Sequence, residues 1–280
     1  MTGADATGTS GWWALAALTG SLLGYALAAL PTRPATDPAG RPERARLPWP
    51  LLVGWMLHLV VLVLDIGDWG QTGTRLGFAP VLSLTVWLVV AVHTVESRLV
   101  PLPPVRISLA LAGMGAVLLA ATFPGEARKF STSLGPLHFV LGVASYGLFG
   151  AAVLHGLLLD AAERRLKQPM ARQRARSGTG GLPLLQLERL TFRFVEVGFI
   201  VLTATLLLGT LAPQPWRWDH KTVFSVLAWG LFAALVAGRR LRGWRGRSAT
   251  RWLYAGAVLL LLAYVGSRFV FEVLLERPWR

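Results

Sequence analysis

Eight long apolar runs divide the 280-residue chain, near 11–31, 49–66, 77–97, 106–123, 135–160, 190–211, 221–238 and 252–275. A bilayer core of ~30 Å needs about 20 helical residues, so each run is long enough to cross it. Within lipid, a helix satisfies every backbone N–H and C=O group inside the segment itself. The expected fold is therefore all-α: a polytopic membrane protein with about eight transmembrane helices. The connections are short except 161–189, which contains "AERRLKQPMARQRARSGTGG" and is first basic, then rich in glycine. No separate soluble domain is expected, so 1–280 reads as a single transmembrane domain.

The charge is lopsided, with 28 Lys and Arg against 14 Asp and Glu. Such an excess can serve nucleic acid, but here it follows the loops. The connection 31–48 holds four basic residues, the one after the third run two, 161–189 and its edges seven, and 239–251 six. These alternate connections hold 19, and the opposite side holds seven. Basic loops stay cytoplasmic, which predicts that both termini are periplasmic, that 161–189 is a basic cytoplasmic loop, and that no nucleic acid is bound. There is no cysteine, so disulfides, thiolate metal sites and CxxCH haem attachment are excluded. The first run lacks a basic leader, and no cleavable signal peptide is expected.

Ionisable groups inside a membrane are costly and are functional candidates by default. His58 falls near the middle of the second run, where ligation and an inter-helix hydrogen bond are both open. His138 opens the fifth run on the outer side, and His220 opens the seventh. His93 and His155, toward inner ends, read as hydrogen-bonded structural residues. Arg193 and Glu196 are three apart and can pair on one helix face. Asp65 and Arg268 lie toward outer ends, where they can pair, or Arg268 can meet an anionic ligand.

Between the sixth and seventh runs stands "PQPWRWDHKTVFSVLAW", Pro213 to Trp229. Most of the twelve tryptophans fit interfacial belts. Trp216 and Trp218 flank Arg217 and precede Asp219 and His220 in one short outer connection. Aromatic faces beside an imidazole suit a flat macrocycle, and Asp219 is placed to cap the helix that follows. No HExxH, GxSxG or phosphate-loop motif is present, so the chain is not expected to be an enzyme.

"WRWDHKTVFSVLAWGLF" resembles the end of the tryptophan-rich outer segment of membrane haem-handling proteins of cytochrome c assembly, the CcsA/ResC/CcmC type. "LGPLHFVLGVASYGLFGAAVLHGLLL" resembles that family's helix with an outer His. "LPLLQLERLTFRFVEVGFIVLTATLLLGT", "GWRGRSA" and "LAYVGSRFVFEVLL" are similar to the YpjD-like branch, and the likeness runs from about residue 48 onward. His220 stands where the family has Pro, Thr222 where it has Glu, and "SRFVFEVLLERPWR" carries no second outer His. The resemblance implies a multi-pass protein of the bacterial inner membrane that binds or passes haem. His138, Trp216, Trp218, Asp219 and, more loosely, His58 are the positions it carries over, with His138 and His58 as ligands of the haem iron and His220 as a substitute ligand. Lys221 and Arg217 would attract the propionates. The partners implied are haem, the lipid bilayer and other cytochrome c assembly proteins. The alternative reading is a membrane transporter, or its accessory subunit, for a metal ion or small solute without haem.

Overall fold

The computed structural model describes residues 8–31, 49–66, 74–96, 105–128, 130, 132–166, 184–211 and 218–275. Eight helices are long and apolar enough to cross a membrane: α1 (Gly8–Ala29), α2 (Trp49–Ile66), α3 (Phe78–Glu96), α4 (Val105–Thr122), α5 (Gly135–Leu166), α6 (Leu184–Thr210), α7 (His220–Arg242) and α8 (Gly246–Leu274). Two short strands, β1 (Thr74–Leu76) and β2 (Glu126–Arg128), pair antiparallel with Arg75 opposite Ala127. All eight expected spans are present, and the second has the bounds expected. The sixth and eighth start about six residues early, because helices continue past the apolar stretch wherever polar side chains find partners. Glu188, in the first turns of α6, meets Arg239 at 3.2 Å.

The chain forms two compact units, Met1–Lys129 and Phe130–Arg280. In the first, α1 packs on α2 and α4, and α3 on α2 and α4. The α1–α2 contact is backbone against backbone. A Cβ on Gly24 would sit 2.6 Å from the Gly54 backbone, and Ser21 Oγ donates to the Gly54 carbonyl at 3.0 Å. Small residues allow this approach where no hydrophobic force drives helices together. Trp55 and Trp87 clasp α2 to α3: each indole N–H donates to the other's backbone carbonyl, at 3.1 and 3.0 Å, and the rings stack 5.1 Å apart. Arg106 of α4 donates to the Leu30 carbonyl at 2.9 Å, serving an acceptor left unpaired at the end of α1.

In the second unit, α5 lies along α6, and α8 packs on α5 and α7. Phe149, Phe192, Val195, Leu202, Phe232 and Leu253 form its core, with Phe149 and Phe232 stacked 3.7 Å apart. Gly243, at φ 65°, closes α7 in the left-handed conformation, and its N–H reaches the Arg239 carbonyl. Thr250 Oγ1 and Tyr254 OH donate to the two oxygens of Asp160, at 3.1 and 3.0 Å. Arg193 does not hold Glu196 as its three-residue spacing led us to expect. Arg193 faces outward, and Glu196 meets Arg240 of α7 at 3.3 Å. Beyond Leu261, α8 turns π-helical over Leu262–Gly266 and again over Val270–Leu274.

Candidate functional site

The five histidines occupy different settings. His58 is fully buried at the centre of the first unit. Its Nδ1 is 3.0 Å from the Tyr25 hydroxyl, and its Nε2 is 2.8 Å from Ser83 Oγ. One imidazole therefore ties α1, α2 and α3 together. The Tyr25 ring reaches it because α4 offers no side chain at Gly113, where a Cβ would lie 2.5 Å from the ring. Both ring nitrogens of His58 are thus engaged by protein groups. His155 is buried, with Nδ1 2.8 Å from the Ala151 carbonyl one turn back, and His93 is buried in the last turn of α3.

His138 lies in the first turn of α5, against the last turn of α6. Its Cε1 is 3.3 Å from where a Cβ on Gly209 would stand, so a side chain there would press on the ring. The Nδ1 atom is buried, and among the described residues none meets it in hydrogen-bonding geometry. The Thr205 backbone and the Lys221 ammonium both lie close enough to act on the ring. A metal-ligating histidine ordinarily directs its second nitrogen at a carbonyl or carboxylate. The Thr205 backbone stands beside His138 where such a partner would stand.

Two cations stand at the same end of the second unit. Lys221, in the first turn of α7, holds its Nζ 5.8 Å from the centre of the Tyr264 ring, and the Arg268 guanidinium lies 5.4 Å from it. Cations over an aromatic face are stabilised by the ring quadrupole. Tyr264, in the π-helical stretch of α8, and Arg268, in the α-helical turn that follows it, are four residues apart. Arg268 is only 7% exposed and pairs with Glu272 at 3.0 Å on its own helix. Neighbouring Tyr146 donates its hydroxyl to the Leu260 carbonyl.

Asp219 caps α7 as expected, its Oδ1 accepting from the Thr222 N–H at 2.8 Å. Trp218 is 70% exposed beside it, and His220 is exposed at the helix entrance. Trp216 and Arg217 lie outside the described residues, as do 167–183 of the basic loop. Among the described residues, no group of three or more His, Asp or Glu side chains is placed to hold a metal ion. Sequence reasoning missed Tyr25, Ser83 and Tyr264. Polar groups in the middle of apolar runs were the available signal for the first two, and the Tyr264–Arg268 spacing for the third.

Residues 50–275 match the family described as Cytochrome C assembly protein. The inner membrane protein YpjD of Escherichia coli K12 is 29% identical over 231 residues, 80% of this chain and 85% of that protein. The cytochrome c biogenesis protein CcsA of Prochlorococcus marinus subsp. pastoris is 27% identical over 183 residues, 55% of this chain and 58% of that protein. Its counterpart in Gloeobacter violaceus is 30% identical over 98 residues, 33% of this chain and 29% of that protein. No solved structure matches the chain. With eight helices able to span a membrane and a family match over most of its length, the chain belongs to the cytochrome c assembly protein family, as a multi-pass protein of its YpjD-like inner-membrane branch.

Proposed function

We propose that this protein holds haem at the end of the second unit where α5 begins and α6 ends, with His138 as iron ligand. The observation that carries this reading is a buried imidazole nitrogen without a hydrogen-bond partner among the described residues, beside the Lys221 ammonium, which shares the Tyr264 ring with Arg268. A bare metal cation would be repelled by Lys221, Arg268 being balanced by Glu272. A porphyrin carrying two propionates would be attracted by Lys221 and could share the Arg268 guanidinium with Glu272, and that favours haem over a metal-ion carrier. When bound, haem would supply the iron and its ligand-exchange chemistry; the protein's part is to orient the imidazole, neutralise the carboxylates and shield one face of the ring. A small turn of the His138 ring would let Nδ1–H donate to the Thr205 carbonyl and leave Nε2 for iron. Trp218, with Trp216, offers aromatic surface at the rim. Asp219 acts indirectly by capping α7 and so placing Lys221 and His220.

His58 is the second imidazole of this reading. For it to ligate iron, its hydrogen bond to Tyr25 or to Ser83 must be given up. With the termini periplasmic, the His138 end faces outward, where haem would be passed to other cytochrome c assembly proteins. The role is holding and passing rather than bond chemistry.

The test is haem titration of purified, folded protein, followed through the Soret band. His138→Ala should abolish the axial-ligand spectrum. Lys221→Gln with Arg268→Gln should weaken haem binding by about tenfold per lost charge-assisted contact, while leaving binding of haem dimethyl ester, which lacks propionate charge, unchanged. A His138→Ala variant with an unaltered spectrum refutes the site.

A further inference from the structure

A separate cavity of ≈ 290 Å³ opens on the first unit, between the first turns of α1 and the last turns of α2 and α4. Leu15, Leu18, Val61, Leu64, Ala121 and Pro124 line it, and among the described residues no aromatic side chain does. Asp65 and Arg75 bring charge to this lining: a carboxylate from the end of α2 and a guanidinium from β1. The two act on each other through space, but no ion pair closes between them among the described residues. Trp12 and Trp13, exposed just ahead of Leu15 on α1, stand at the same end. Tryptophan at a helix end marks headgroup depth.

We infer that this cavity binds one phosphatidylethanolamine molecule, with its phosphate on Arg75, its ammonium on Asp65 and an acyl chain in the aliphatic groove. Each part of that lipid answers a feature of the site. Aliphatic walls without an aromatic ring fit a flexible chain better than a planar ring system. A guanidinium forks onto phosphate oxygens. An ammonium with three N–H groups can donate to a carboxylate, which a trimethylated choline cannot, and a glycerol headgroup brings no positive charge. The charged pair lies at the same end of the first unit as Trp12 and Trp13, and Leu18 and Val61 line the cavity about one helical turn farther along α1 and α2. The inference is independent of haem, since it uses no residue of the His138 end.

The test is native mass spectrometry of the full chain equilibrated with equimolar phosphatidylethanolamine, phosphatidylglycerol and phosphatidylcholine of identical acyl chains. The wild type should retain one phosphatidylethanolamine in about tenfold preference to either competitor, the scale of one charge-assisted hydrogen bond. The near-isosteric Asp65→Asn should abolish that preference and still retain phospholipid. Arg75→Gln should lower retention of all three alike, because all carry the phosphate. Ala121→Leu should obstruct the chain with the charged pair intact, and lower retention of all three. Thermal unfolding of each variant establishes that it is folded, and Arg75→Lys provides a second, charge-preserving variant that should retain the preference. Equal retention of the three lipids by wild type, retention of none, or an undiminished preference in Asp65→Asn overturns the inference.

Discussion

Replacing His58 by Ala removes both hydrogen bonds that join α1, α2 and α3, the 3.0 Å contact with Tyr25 and the 2.8 Å contact with Ser83. Inter-helix hydrogen bonds in membranes average about 0.6 kcal/mol and reach about 1.7. The buried Tyr25 and Ser83 hydroxyls would lose their His58 partner, and the Ser83 and Tyr25 side chains are wholly enclosed. An unsatisfied buried polar group costs about 1–3 kcal/mol. The missing ring also leaves a void, for which large-to-small changes in a core set a scale of about 2–5 kcal/mol. These effects overlap, so the expected destabilisation of His58→Ala is about 3–5 kcal/mol. Tyr25→Phe keeps the ring against Gly113 and loses one bond, so it should cost about 1–2 kcal/mol. The assay is reversible unfolding in mixed micelles, with a double-mutant cycle. Because both changes break the same Tyr25–His58 contact, the double variant should fall short of the sum by at least about 0.5 kcal/mol. A His58→Ala change smaller than about 0.5 kcal/mol, the scale of an ordinary surface substitution, would refute the clamp. In that case a role for the imidazole in ligation would be the better account.

Further outcomes can be measured on the same protein. Gly24→Ala should destabilise it by about 1–3 kcal/mol, since the new methyl meets the Gly54 backbone at 2.6 Å; Gly115→Ala in α4, with nothing within 4 Å, is the control and should be neutral or stabilising. Asp219→Ala should cost about 1 kcal/mol through loss of the α7 cap and, by fraying the turn that carries Lys221, weaken haem binding less than His138→Ala does; equal losses in both would mean that Asp219 contacts the ligand itself. Reporter fusions at Ser177 and at the C-terminus should report opposite sides of the membrane, and fusions on the same side would overturn the proposed orientation.

The membrane-spanning elements were legible in the sequence because crossing a bilayer is a local requirement. Length and hydropathy of a single run satisfy it, and the span expected at 49–66 is α2 residue for residue. Capping was legible for the same reason: Asp219 serves an N–H three residues away. The ends of α6 and α8 were less so. Polar residues such as Glu188 extend a helix only if something distant satisfies them, and Arg239 lies 51 positions on. Glu196 shows the same limit, having a basic residue three positions away yet pairing with Arg240, 44 positions along the chain.

The setting of each histidine was decided by tertiary structure. Nothing near His58 in the sequence distinguishes a ligand from a clamp. Tyr25 precedes it by 33 residues and Ser83 follows by 25, and they meet only because Gly24, Gly54 and Gly113 let three helices close around them. His138 also opens an apolar run, and its Nδ1 has no hydrogen-bond partner among the described residues, with Gly209 of α6 leaving room for the ring. Lys221 and Arg268 are 47 positions apart, and the ring between them belongs to α8. How many helices are long and apolar enough to cross a membrane, and that Asp219 caps α7, could be read from the chain alone, since both depend on neighbours in sequence. Packing of helices distant in sequence decided which imidazole is engaged, which is left open and where the cations gather, because hydrogen bonds and charge act only across the few ångströms that folding closes.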